Sequence, residues 1–149
     1  MKNTLNTEQW NCSIEDCLFF STTKLARELG KLAEEAFQAT GLSPSHALLL
    51  YIVNQKGEIP QKEIGELLHL TPSTITRLLD KLERKGYVEK QSMGKNVSLK
   101  STSEGLSQQQ QIVNSWNCLH NSYQSILTPE ESTSYLELSS KLLEKLTDK

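Results

Sequence analysis

Over residues 13–40 the apolar positions Leu18, Leu25, Leu29, Leu32 and Ala36 recur at spacings of three, four and seven. That period predicts one long amphipathic helix, which Gly41 ends. Ser43-Pro44 then supplies a capping hydroxyl and a first-turn proline for a buried helix to about Gln55, closed by Gly57. Pro60 opens a short helix with Ile64, Leu67 and Leu68 inward. Thr71-Pro72 repeats the cap-and-proline pair. Behind it Ile75, Leu78, Leu79 and Leu82 fall at i, i+3, i+4 and i+7, with Gly86 as the stop.

After Gly86 the period changes. Residues 87–90 and 97–100 are short β-type segments separated by Gln91-Ser92-Met93-Gly94-Lys95-Asn96, which predicts a two-stranded hairpin with a six-residue loop. From about Thr102 to Leu127 a further helix is expected, in which Ile112, Trp116, Leu119, Tyr123 and Ile126 step by four, three, four and three, a heptad seam. Thr128-Pro129-Glu130-Glu131 is a helix start with a capping-box glutamate, and Tyr135, Leu138, Leu142 and Leu146 carry the last helix. The expected fold is mainly α with one small β-hairpin.

A chain of 149 residues with 36% apolar and 23% charged side chains can bury one core, which excludes a disordered or fibrous protein. The longest apolar run, residues 47–53, is far short of the roughly 20 residues of a membrane span. Three cysteines without a signal peptide or a disulfide framework predict a reducing compartment, so a cytoplasmic protein with no membrane contact is expected.

The net charge of −2 hides a polarised distribution. Residues 1–70 carry a net −3 and residues 101–149 another −3, whereas residues 71–100 carry +4. A basic island between acidic flanks fits either one local contact with a polyanion or a solvated lysine-rich helix. The order of elements decides between them. Residues 60–85 have the layout of a helix-turn-helix, with His69-Leu70-Thr71 as its turn. The face opposite the leucines presents Ser73, Thr74, Thr76, Arg77 and Lys81. Short hydroxyl side chains let a helix enter a major groove about 12 Å wide, and arginine can bridge guanine O6 and N7. On this reading Arg77 contacts a base edge, Thr74 and Thr76 line the same groove, and Lys81, Lys85 and Lys95 hold phosphates.

Here the chain resembles the MarR family of bacterial transcription regulators. The resemblance rests on Gln61-Lys62-Glu63-Ile64-Gly65-Glu66-Leu67-Leu68, on the stretch from Thr71-Pro72-Ser73-Thr74-Ile75-Thr76-Arg77 to Gly86-Tyr87-Val88, and on Val97-x-Leu99 before Glu104-Gly105. It implies a winged helix-turn-helix over residues 43–101, with residues 13–40 and 102–149 as dimerisation helices. It also implies a homodimer on palindromic double-stranded DNA, a repressor by expectation, with release by a small-molecule effector. The 71–85 helix would be the recognition helix, the 91–96 loop the wing, and Gln61 and Asn96 would join the DNA-binding residues. The family's wing usually carries Asp-x-Arg, whose arginine enters the minor groove; here only Lys95 can stand in, a point charge without the planar fork. Where the family often has Gly in the turn, this chain has His69, which would have to accept a left-handed backbone.

Read alone, the Trp116 seam fits internal core or an interface. The interface gains because one helix-turn-helix reads few base pairs and a twofold partner supplies the second half-site. Cys17 lies where some peroxide-sensing members of that family carry a reactive thiol, so a redox-sensing regulator is one alternative function; a buried structural cysteine is the other reading. Cys12 and Cys118 belong to no motif, and His46, His69 and His120 lack metal-ligand spacing, so neither metal nor cofactor is expected. With no P-loop, GxGxxG, GxSxG or HExxH signature, catalysis is not expected either. A winged-helix protein-interaction module, favoured by the acidic flanks, is the second alternative.

Overall fold

The computed structural model describes residues 13–148; Cys12 lies outside them. The helix expected across residues 13–40 is divided. A 3-10 turn at Ile14–Asp16 precedes helix α1 (Leu18–Phe37), and a second turn follows at Gln38–Thr40. The division has local causes. The Ser13 hydroxyl donates to the Asp16 carboxylate at 2.8 Å, a side-chain capture that competes with helix, and Cys17 is extended at φ −81°, ψ 118°. At the other end the Thr40 hydroxyl donates to the Phe37 carbonyl at 2.6 Å and accepts the Leu42 N–H at 3.0 Å.

Helix α2 (Pro44–Lys56) starts at the expected cap, where Ser43 accepts the His46 N–H, and buries Ala47, Leu49, Leu50 and Val53. Strand β1 (Glu58–Pro60), α3 (Gln61–Leu68), α4 (Pro72–Arg84), β2 (Val88–Met93) and β3 (Asn96–Ser101) follow. The sheet is antiparallel with order β1-β3-β2. Its register sets Ile59 opposite Leu99 and Val88 opposite Ser101, and Ile59, Val88 and Leu99 are buried. Three residues are too few to show a strand period, so β1 was not expected; it exists because β3 offers it an edge. The hairpin differs as well. Pairing continues to Met93 opposite Asn96, so the expected six-residue loop shrinks to Gly94-Lys95, with Gly94 at φ 65°.

The helix expected from Thr102 to Leu127 breaks into α5 (Ser103–Ser107) and α6 (Gln109–Gln124). Gly105 is buried. Its N–H donates to the Thr102 hydroxyl, and its carbonyl accepts from Asn54 Nδ2 at 3.0 Å, the same amide reaching Gln109 Oε1 at 2.9 Å. A segment fastened to α2 at that point re-aims before continuing.

The Trp116 seam is core at its start and uncovered at its end. Ile112 is fully buried. Trp116 stacks on Tyr51 (centroids 6.3 Å apart) and meets Phe37 edge-on (6.1 Å). Ile126, by contrast, is 73% exposed. Helix α7 (Pro129–Thr147) begins with the expected capping box, Thr128 and Glu131 exchanging hydrogen bonds of 3.1 and 2.9 Å. None of its residues is buried, and Leu138 and Leu146 are 62% and 73% exposed. Among the described residues no helix is long and apolar enough to cross a membrane.

Candidate nucleic-acid interface

The turn between α3 and α4 is built by local chemistry. His69 takes the left-handed conformation, φ 52°, ψ 42°, that the resemblance implied for this position. Leu70 N–H then closes on the Gly65 carbonyl at 3.2 Å. Thr71 caps α4 by accepting the Thr74 N–H, and its hydroxyl also lies within hydrogen-bond distance of Ser73 Oγ (3.3 Å) and Thr74 Oγ1 (3.0 Å). Pro72 fills the first turn.

Burial fixes how α4 is rotated. Ile75, Leu79 and Leu82 are buried and Leu78 packs against the core. The outward row is therefore Ser73, Arg77, Asp80 and Arg84, which line a shallow surface depression with Thr76 and Glu83. The spacing of this row, i, i+4, i+7 and i+11, was readable in the sequence, yet Asp80 and Arg84 were missed. Arg84 Nε donates back to the Asp80 carbonyl at 3.3 Å.

Thr74 and Thr76 do not share a flank. Two residues on a helix are about 200° apart, and the structure sends each to a different neighbour. Thr76 turns toward α3, where its hydroxyl accepts from Gln61 Nε2 at 3.0 Å and donates to the Pro72 carbonyl at 2.9 Å. Gln61 is thereby brought against α4. Thr74 turns to Thr71 on the other side. Lys81 is half-buried and Lys85 exposed, and both act on His46 of α2. Burial first, then the charges of Lys81 and Lys85, hold the His46 imidazole below its ordinary pKa of 6.5.

The hairpin is fastened to α4 at its base. Lys90 Nζ pairs with the Asp80 carboxylate, and Lys90 N–H donates to Glu83 Oε2 at 3.3 Å. Lys95 and Asn96 are exposed at the tip. Three further residues of β2 at about 3.3 Å each carry the chain roughly 10 Å beyond that anchor before the turn that holds Lys95. Lys90 was counted in the basic island, but its charge is engaged within the chain.

Cys17 sits apart from these elements, half-buried at the start of α1. Cys118 is exposed on α6. Among the described residues no group of three or more His, Cys, Asp or Glu side chains is placed to hold a metal ion.

Comparison with known proteins gives a consistent answer. The MarR family model matches residues 42–94, which run from the cap of α2 to the tip of the hairpin. The HTH-type transcriptional repressor MdtR of Bacillus subtilis (strain 168) is 25% identical over 111 residues, covering 72% of this chain and 72% of MdtR. Among solved structures, the S. aureus MepR–DNA complex superposes with a TM-score of 0.78 at 18% identity, over 88% of this chain and 98% of that one. CouR from Rhodococcus jostii RHA1 bound to p-coumaroyl-CoA gives 0.72 at 18% identity, over 91% and 96%. At such identities the two structural likenesses speak for the fold.

Proposed function

We propose that the chain is a MarR-family DNA-binding transcriptional regulator, a cytoplasmic repressor that acts as a homodimer on a palindromic operator; the family model matches residues 42–94 and MdtR is 25% identical over 111 residues. The observation that carries this reading is the outward row of α4, Ser73, Arg77 and Arg84, on a helix whose first turn is narrow and hydroxyl-rich. Such a helix end can sink into a major groove, where the positive end of its dipole attracts phosphate. In this assignment Arg77 reads a base edge. Ser73, Thr74 and Gln61-buttressed Thr76 shape the approach. Lys81 and Lys85 hold phosphates on one side, and Lys95 with Asn96 on the other. Residues 43–101 then form the DNA-binding domain and the helices on either side the dimerisation elements.

Two exposed apolar faces support the homodimer. Leu18 and Phe19 at the start of α1 are 62% and 69% exposed, and α7 presents Leu136, Leu138, Leu142, Leu143 and Leu146. Faces of this size on a small chain mark an interface. MdtR is a repressor by name and CouR was solved with an acyl-CoA bound; by analogy a small-molecule effector releasing DNA belongs to the proposal for this chain.

The test is selection of DNA sequences by the purified protein, followed by affinity measurements on the selected site. Arg77→Ala is expected to cost about 1–3 kcal/mol on that site and to relax preference at one position. Lys95→Ala is expected to weaken all sequences alike and to lower the salt slope by about one unit. A change of sequence preference in Lys95→Ala but not in Arg77→Ala would transfer the reading to the hairpin tip. Failure to bind any duplex at low salt would favour a protein-interaction module.

A further inference from the structure

The DNA-binding reading leaves open what Thr76 offers to the groove. Thr76 is exposed and lines the same shallow depression as Ser73, Arg77 and Arg84. A threonine hydroxyl has one proton and two lone pairs. The proton is spent on the Pro72 carbonyl at 2.9 Å, in the first turn of α4. One lone pair takes a hydrogen of Gln61 Nε2 at 3.0 Å, from the start of α3. Gln61 is placed there by the sheet, since it follows Pro60, whose register partner is Ser98 of β3. Threonine hydroxyls commonly serve DNA interfaces by bonding to phosphate oxygens, and this one has no proton left to donate. What Thr76 keeps for a partner is its methyl group and a single lone pair.

We propose that Thr76 reads the C5-methyl group of a thymine in the major groove, with Gln61 as the positioning residue that keeps the threonine methyl turned outward. The proposal rests on the DNA-binding reading above and adds a base preference to it. Inside a helix, threonine divides between two χ1 rotamers, because its oxygen can reach a carbonyl of the preceding turn. The bond from Gln61 selects one of them. The methyl group diverges from the oxygen at the tetrahedral Cβ, so fastening the oxygen to α3 and to Pro72 fixes where the methyl points. Among the bases only thymine presents a methyl group in the major groove, and threonine methyls contact it. The remaining lone pair would suit an adenine or cytosine amino group, but it sits on an oxygen already crowded by two partners. Thr76 precedes Arg77 directly in the chain, so its thymine is expected to adjoin the base that Arg77 reads.

Replacing thymine by deoxyuridine deletes that methyl group and nothing else, so the probe changes while the protein stays intact. The duplex is the one selected by the purified protein, and each of its thymines is replaced in turn. At one position per half-site the replacement should weaken wild-type binding about fourfold, the worth of one buried methyl group. Thr76→Ser keeps both hydrogen bonds and loses the methyl, so it should bind the thymine and deoxyuridine duplexes equally. Gln61→Ala keeps the methyl but frees it to turn, and should lower the ratio between the two duplexes; a merely structural role for Gln61 would weaken both alike. If no thymine shows the effect, or the ratio survives Thr76→Ser, the proposal is overturned and the DNA-binding reading stands. A Gln61→Ala ratio equal to that of the wild type overturns the positioning role. An adenine or cytosine preference that Thr76→Val removes would assign the reading to the lone pair and overturn the methyl contact. Absence of binding to any duplex at low salt overturns both readings together.

Discussion

Replacing Gly105 by alanine tests the junction that joins the hairpin to α5 and α6. A Cβ on Gly105 would lie 2.1 Å from the Tyr87 carbonyl oxygen, 3.0 Å from its carbon and 3.2 Å from its Cα. The obstacle is backbone, so no rotamer change relieves it. Either the start of α5 or the strand entry at Tyr87 must move by roughly 1 Å to restore van der Waals contact. Both are fixed: Thr102 N–H donates to the Tyr87 carbonyl at 3.2 Å, the Thr102 hydroxyl donates to the Gly86 carbonyl, and Asn54 grips the Gly105 carbonyl. Forcing a methyl into such a site costs about 1–3 kcal/mol. Each weakened hydrogen bond adds about 1 kcal/mol, and the better helix propensity of alanine returns at most about 1 kcal/mol. The expected net loss is about 2–4 kcal/mol, read as a shift in urea midpoint at constant m-value. Gly30→Ala is the matched control. Gly30 lies mid-α1 with nothing within 4 Å of its Cβ position, so the same substitution should stabilise by about 0.5–1 kcal/mol. A Gly105→Ala variant within about 0.5 kcal/mol of wild type would refute the close approach and the reasoning built on it.

Light scattering at micromolar concentration should give the mass of a dimer, and a chain ending at Ser125, which lacks the Leu138 and Leu146 face, should lose it and aggregate; a wild-type monomer mass would count against the proposed homodimer. The stability of the DNA-free protein should depend on His46. Its folded pKa lies below the unfolded value of 6.5, so between the two the unfolded chain binds the extra proton. Stability is thus fully present above about pH 6.5 and falls as pH drops through the lower folded value. Denaturation of wild type and His46→Gln across that window should show a smaller acid loss in the variant; parallel curves would assign the acid loss to other groups.

The elements legible in the sequence were those whose causes are local. Ser43-Pro44, Thr71-Pro72 and Thr128-Pro129 each fix a helix start through a hydroxyl and a missing N–H, and all three starts stand where those pairs put them. The left-handed backbone at His69 was expected from the family resemblance, in which Gly often holds that position, rather than from such a local pair. Elements with distant causes were not. Strand β1 depends on β3, some forty residues away, and the break at Gln108 depends on Asn54 reaching Gly105 across 51 positions. The hairpin loop was overestimated because Gln91 and Ser92 are polar, yet an edge strand with one solvated side accepts polar residues readily.

The same distinction governs the candidate site. Counting charges along residues 71–100 locates a basic island but treats every lysine as available. Packing sorts them. Lys90 is withdrawn by Asp80, so the acid that lowers the island's net charge fastens the hairpin rather than shielding Lys81 or Lys85. Those two lysines act through their charge on His46, thirty-five and thirty-nine positions upstream, which no charge count would have joined to them. The proposed DNA-binding surface is therefore more sharply positive on the α2 flank than the sequence average implies, and less so at the base of the hairpin. Arg84, passed over because it follows the hydroxyl-rich turn by three turns of helix, lies in the same outward row as Arg77. If α4 enters a groove at its first turn, Arg84 sits where the helix leaves it and meets phosphate rather than base, so Arg84→Ala should weaken all sequences alike while Arg77→Ala changes which sequence is preferred. Sequence preference that shifts in Arg84→Ala would mean the helix lies deeper along its length than its hydroxyl-rich first turn requires.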